Sequence, residues 1–239
     1  MILTQKGDTM SGEKEYLKSY DKEMYEKPSV TVDLLVFTIV DDRLKIVLVK
    51  REEYPFKDML ALPGVFVNID ETLDGAAKRG IKEEAGITDI YFEQLYTWGD
   101  VNRDPRMRII SVSYLSLTPS EKIQLSIGQR TSSVELYDVE ELLTSDAKLA
   151  FDHKKIIEYG RERIKNKTEY TQIAFEFLEE EFTLPQLQKV YEILLGKSLH
   201  KANFRRKVMP MVEETERMTM GDAHRPSKIY RVKENTIVV

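Results

Sequence analysis

The segment between Leu62 and Ile87 constrains the fold more than any other part of the chain. Pro63-Gly64 marks a loop, Thr72 is a residue type that opens helices, and Gly86 stands where helices commonly stop. Residues 72–85 between them are predicted to form one helix. Upstream, Val30-Thr-Val-Asp-Leu-Leu-Val-Phe-Thr-Ile-Val40 is rich in β-branched residues and reads as a buried strand. Asp41-Asp-Arg43 makes a turn, and residues 44–50 return as the hairpin partner. Downstream, strands are expected at 90–97, 109–117 and 133–138, then a short helical turn over 138–143. Strands on both sides of a single helix predict a mixed α+β domain over residues 29–150.

Within that helical segment, Glu71, Arg79, Ile81, Glu83, Glu84, Gly86 and Ile87 fall at fixed spacing. The stretch resembles the Nudix box, G-x5-E-x7-R-E-U-x-E-E-x-G-U with U aliphatic, which implies a Nudix α/β/α sandwich with a mixed sheet. Two positions depart: Val65 stands at the first glycine of the box, and Gly80 stands at the glutamate that follows the arginine. The family cleaves pyrophosphate bonds with magnesium held by carboxylates on one helix face. Positions 80, 83 and 84 are i, i+3 and i+4 and converge on one side. With glycine at 80, the residual box carboxylates are Glu71, Glu83 and Glu84, and only Glu83 and Glu84 remain to form a weak magnesium site. Glycine inside a helix also costs roughly 1 kcal/mol relative to alanine. No catalytic residue is therefore expected, and no cofactor is required. A solvated Lys/Glu-rich helix face is the plainer reading of Glu83-Glu84.

The net charge of −5 conceals an asymmetry. Residues 197–233 carry ten Lys/Arg against four acids, a local +6, which leaves −11 on the rest. A basic C-terminal module on an acidic body is the electrostatic footprint of a nucleic-acid binder. The chain has no cysteine, hence no disulfide and no thiolate metal site, and the cytoplasm is the expected address. No stretch is apolar enough over its length for a membrane helix, so no membrane partner is expected.

Residues 1–28 read as an N-terminal helical arm with Tyr16, Leu17, Tyr20, Met24 and Tyr25 at roughly helical spacing. Residues 151–168 are expected to form a linker helix, and 169–239 a second, smaller domain with its own core. Its first element is read as a strand over 173–178. Thr183 then caps a helix over 184–195, with Pro185 in the first turn and Gly196 at the end. A second helix spans 199–209, and strands at 212–218 and 228–232 flank a turn with Gly221 and Pro226. Helix, turn, helix and hairpin is the order of a winged helix-turn-helix. On the second helix Phe204 and Val208 face inward. The opposite side carries Ala202, Asn203 and Arg206, flanked by Arg205, with Lys201 and Lys207 nearer the core edge. Asn and Arg at the groove floor suit base edges, while flanking cations suit phosphates. On the hairpin, His224, Arg225 and Lys228 are further candidates for DNA contact.

A second resemblance spans residues 30–232. Gln94-Leu-Tyr-Thr-Trp-Gly-Asp-Val-Asn-Arg-Asp-Pro-Arg-Met-Arg108, Leu149-Ala-Phe-Asp-His153, the segment 182–195 and Asn203-Phe-Arg-Arg-Lys207 are similar to those of Nudix-related transcription regulators of the NrtR type. The resemblance implies a homodimeric repressor that binds a palindromic DNA operator and senses ADP-ribose or a related nucleotide or sugar. Arg51, Glu71, Arg79, Trp98, Arg103, Asp104, Arg106 and Arg108 then become candidates for the effector pocket, since guanidinium groups match phosphate geometry. For Trp98 a core position is the alternative. For Asp104 and the arginines it is a surface ion-pair loop. The rival from another class is a magnesium-dependent ADP-ribose pyrophosphatase with an accessory C-terminal domain.

Overall fold

The computed structural model describes residues 8–87, 91–125, 131–219 and 226–233. The arm contains α1 (Asp8–Ser19), beyond which Tyr20, Met24 and Tyr25 remain exposed. The sheet opens with β1 (Ser29–Val40) and β2 (Arg43–Arg51), paired antiparallel from Phe37↔Ile46 to Val40↔Arg43. Asp41 and Asp42 take φ of 51° and 62°, the left-handed pair that a two-residue hairpin turn demands and that short carboxylates tolerate. Short strands β3 (Leu60–Ala61) and β4 (Gly64–Phe66) follow, then α2 (Leu73–Ala85). The Thr72 hydroxyl accepts the Gly75 N–H at 3.0 Å, and Gly86 at φ 69° ends the helix.

Next come β5 (Tyr91–Trp98), β6 (Ile109–Leu117), β7 (Thr131–Asp138) and α3 (Val139–Thr144). The sheet runs β3-β2-β1-β6-β5, with β4 on β1 and β7 on β2. The β1–β6 pair is parallel and the others antiparallel, which is the expected mixed sheet. Period-two alternation sorts β1 between two layers. Val32, Leu34 and Val36 pack with Ala76, Ala77 and Ile81 of α2. Leu35 and Phe37 pack with Ile156, Ile157 and Ile164 of α4 (His153–Tyr170). Both helices press on β1 through a glycine: a β-carbon on Gly80 would lie 2.9 Å from Leu34 Cδ1, and one on Gly160 2.4 Å from Leu35 Cδ2.

α4 is therefore the third layer of the sandwich as well as a connector. Its far end meets the C-terminal module, comprising β8 (Phe182–Thr183), α5 (Leu184–Leu195), α6 (Lys201–Val208), β9 (Val212–Met218) and β10 (Lys228–Val232). Thr183 and Gln186 form a capping box at α5, and Gly196 at φ 66° closes it. The wing sheet has the order β8-β10-β9. Residues 173–178 are not a strand. Ile173–Phe177 form a 3-10 turn that buries Ile173, Ala174, Phe175 and Phe177. A short apolar run has no periodicity to separate the two, and here the Phe175 N–H turns back to Gln172 O instead of pairing with a neighbour.

The expected separation into two cores also changes. One continuous apolar cluster joins Leu35, Phe37 and Ile156 to Leu187, Tyr191, Phe204 and Tyr230. Lys189 reaches Asp42 at 3.0 Å, and Arg161 of α4 donates to Leu194 O at 2.8 Å.

Candidate functional site: an arginine-lined cleft and an exposed basic helix

β1, β4, the loop before β6 and the start of α4 enclose a cleft of about 90 Å³. Arg51, Arg103, Asp104 and Arg106 line it, together with Phe66, Phe151 and His153. Its floor is a buried polar network built on Asp33. That carboxylate accepts from Arg103 Nη2 at 3.0 Å and from the Ser111 hydroxyl at 2.6 Å. Arg103 also donates to Asp152, from Nε at 3.1 Å and from Nη2 at 2.7 Å. Burial opposes the charge of Arg103, but the Asp152 hydrogen bond and the Asp33 charge outweigh it and hold the guanidinium protonated.

His153 completes the floor. Its Nδ1 accepts the Leu62 N–H at 2.8 Å, so the neutral ring carries its proton on Nε2, 3.8 Å from Asp33 Oδ1. Burial pushes the imidazole pKa down despite Asp33, so this contact is dipolar and not an ion pair. At the rim, Arg106 grips Asp104 through Nε at 3.0 Å and Nη2 at 2.8 Å. Burial of Asp104 raises its pKa, yet the Arg106 hydrogen bonds bring it below the usual carboxylate value. Arg51 sits 5.0 Å from the Phe151 ring centre, and Arg106 lies 5.9 Å from that ring and 5.8 Å from Phe66. Two guanidinium planes thus flank one aromatic ring. Phe151 holds φ of 53°, unusual for a bulky residue, at the point where the chain enters α4.

Four of the eight residues proposed for the pocket line this cleft. Arg79 of α2 and Glu71, in the loop just before that helix, lie beside it: Arg79 donates to Glu71 at 2.9 and 2.8 Å, to Glu83 at 3.1 Å and to Phe66 O at 2.9 Å. The Arg79 hydrogen bonds lower the Glu71 pKa. Trp98 and Arg108 do not join the cleft. Trp98 is 7% exposed, and its indole N–H donates to Ser113 Oγ at 2.9 Å, as its core alternative required. Arg108 is exposed and donates to Asp100 O at 2.9 Å. The Glu84 side chain lies outside the described residues. Phe66, Phe151, His153 and Asp33 were not singled out as site residues; Leu149–His153 carried the only signal, as a matched segment without an assigned role.

The second site is α6. Phe204 and Val208 are buried, with Phe204 packed edge-on to Tyr191 at 5.3 Å, while Lys201, Ala202, Asn203, Arg205 and Arg206 are exposed. Arg206 Nη2 donates to Asn203 Oδ1 at 3.3 Å, which keeps the two side by side on the outer face. Lys207 instead turns toward the body, donating to Glu169 O at 3.2 Å above the Tyr191 ring. On the wing, Lys228 pairs with Glu214 at 2.5 Å; His224 and Arg225 lie outside the described residues.

Comparison with known proteins finds matches to both modules. A NUDIX domain model matches residues 30–160, and the model of the NrtR DNA-binding winged helix domain matches 174–232. The ADPR responsive transcriptional repressor NtrR of Acinetobacter baylyi is 37% identical over 92% of this chain and 88% of its own. The chain belongs to the NrtR family. Shewanella oneidensis NrtR, solved with a 27mer DNA, is 36% identical with a TM-score of 0.76, over 85% of this chain and 93% of that one. The NUDIX domain of the same NrtR, solved with ADP ribose, matches at 36% identity and a TM-score of 0.57, over 63% and 97%. The ADP-ribose pyrophosphatase of Methanocaldococcus jannaschii is 39% identical over 59% of this chain and 76% of its own. The NrtR relatives cover both modules, whereas the pyrophosphatase match covers 142 residues.

Proposed function

We propose that this chain is a cytoplasmic DNA-binding repressor whose Nudix cleft binds ADP-ribose, without hydrolysing it, as the signal that changes operator affinity. The observation that carries the reading is the joining of an arginine-lined cleft to a helix whose outer face is basic and unpacked, in a chain similar along 92% of its length to an ADPR responsive repressor. In the cleft, Arg51 and Arg106 are the cations offered to a diphosphate, and Phe151 and Phe66 are the rings offered to a base or sugar. Arg103, enclosed by Asp33 and Asp152, orients the floor. On DNA, Asn203 and Arg206 read base edges while Lys201 and Arg205 hold phosphates, one α6 per half-site of a palindrome bound by a homodimer.

Fluorescence anisotropy with DNA from the gene's own upstream region tests this. Binding should weaken steeply with added salt and respond to ADP-ribose, with a coupling of about 5- to 150-fold. Salt-insensitive or absent binding would remove the DNA-binding half of the reading. The likeness to the archaeal pyrophosphatase supports a second reading, magnesium-dependent hydrolysis of ADP-ribose. Turnover at ordinary enzymatic rates, abolished in Glu84→Gln, would establish it.

A further inference from the structure

The Nudix fold implies a divalent cation held by carboxylates of the box, and the described residues of this chain do not fit one. Of the three box carboxylates, Glu71 is clasped from two sides by Arg79, and Glu83 accepts from the same guanidinium at 3.1 Å. Among the described residues, no group of three or more His, Asp or Glu side chains is arranged to hold a metal ion. The remaining question is why position 80 has no carboxylate of its own.

The answer lies in what position 80 faces. Gly80 is buried, and a β-carbon there would lie 2.9 Å from Leu34 Cδ1, 3.1 Å from Val65 Cγ2 and 3.4 Å from Val65 Cγ1. The Leu34 methyl is the far end of a flexible side chain and can shift. Val65 cannot easily yield. It is β-branched and stiff at χ1, it is 4% exposed, and its strand is fixed to β1 by the Val32↔Val65 pairing. Both γ-methyls face position 80, so a χ1 turn that swings one away still leaves the other against it.

Val65 is also the chain's second departure from the Nudix box, at the position where the box has glycine. We propose that the two departures are a single linked change: the Val65 side chain fills the space through which a side chain at position 80 would leave α2. The pair therefore acts as an apolar plug, and restoring the glutamate alone cannot rebuild a cation site. This inference rests on the non-hydrolytic reading above and names Val65 as the residue that fixes it.

Two measurements on the full chain test the plug. In calorimetric titration with Mn²⁺, Val65→Gly/Gly80→Glu should bind at least about tenfold more tightly than the wild type, a change of the size expected for completing a ligand set. Gly80→Glu alone should bind no more tightly than the wild type. Equal binding by Gly80→Glu and the double variant would overturn the proposal, as would a double variant no tighter than the wild type. The second measurement does not depend on a glutamate being accommodated. Helix propensity alone would make Gly80→Ala stabilising. With Val65 present, Gly80→Ala should instead lower the Tm, and in a Val65→Ala background that loss should disappear. The same Tm change in both backgrounds would overturn the proposal. Hydrolysis of ADP-ribose by the wild type with Mg²⁺ is a separate outcome, and it would overturn the non-hydrolytic reading itself.

Discussion

Arg103 joins sequence positions that nothing local would connect. Its partners Asp33 and Asp152 lie 70 and 49 residues away, and all three meet only when β1 and the start of α4 close on one cleft. Removing one member of a buried ion pair leaves the others charged and unsatisfied, at a cost of about 3–5 kcal/mol. Arg103→Ala should therefore lower the unfolding free energy by about that amount in urea titration; a loss under about 1 kcal/mol would mean the network is solvated. His153 gives a prediction with a sign. Burial holds its folded pKa below the ordinary 6.5, so above that value the imidazole is mostly neutral in the folded and the unfolded chain alike. As the pH falls through it, the unfolded chain takes up a proton that the fold excludes, and stability is lost. Thermal unfolding between about pH 8 and about pH 5 should show the wild type losing more Tm than His153→Gln. Parallel curves would show that His153 is not buried neutral. Sequence reading found the arginines of this cleft because guanidinium chemistry is local to each residue. The Asp104–Arg106 pair falls within its ion-pair alternative, whereas the pairing of Arg103 with Asp33 and Asp152 was not foreseen, because those partners are distant in sequence.

The elements that were legible were those with a periodic signal and a stop. The two hairpin strands of the C-terminal module, 212–218 and 228–232, and α5 lie where the strand reading, the Thr183 cap and Gly196 put them. α4 runs from His153 to Tyr170, within two residues of the expected 151–168, and Thr168, buried in its last turns, donates its hydroxyl to Ile164 O at 2.8 Å. α6 supports a prediction at this scale. Arg206→Ala should relax sequence preference, with a loss of about 1–3 kcal/mol on the preferred site. Arg205→Ala should weaken binding evenly across sequences and reduce the salt slope by about 1. Lys207 faces the Glu169 carbonyl, so Lys207→Ala should lower the Tm with little change in the salt slope. The binding effects are read from competition anisotropy on matched and scrambled sites, and the Tm from thermal unfolding. A sequence preference unchanged in Arg206→Ala would remove α6 as the reading helix.

For the whole molecule, the sequence indicated two modules but not how closely they are joined. Charge asymmetry and motif order separate them along the chain, while burial depends on which faces finally meet. α4 spans the junction: Asp152 and His153 sit at the cleft where it begins, Arg161 reaches the Leu194 carbonyl, and Lys207 of α6 reaches Glu169 near its end. On the proposed function, a ligand in the cleft and DNA on α6 would act on the two ends of one helix, the element that the two sites share. The most direct test follows both events in one tube. Labelled operator DNA is bound by the full chain with Mg²⁺ present, ADP-ribose is titrated in while anisotropy is read, and the ADP-ribose is then recovered and quantified. DNA affinity should change saturably, and the ADP-ribose should return intact. Conversion of ADP-ribose at enzymatic rates, or an operator affinity indifferent to it, would contradict the account.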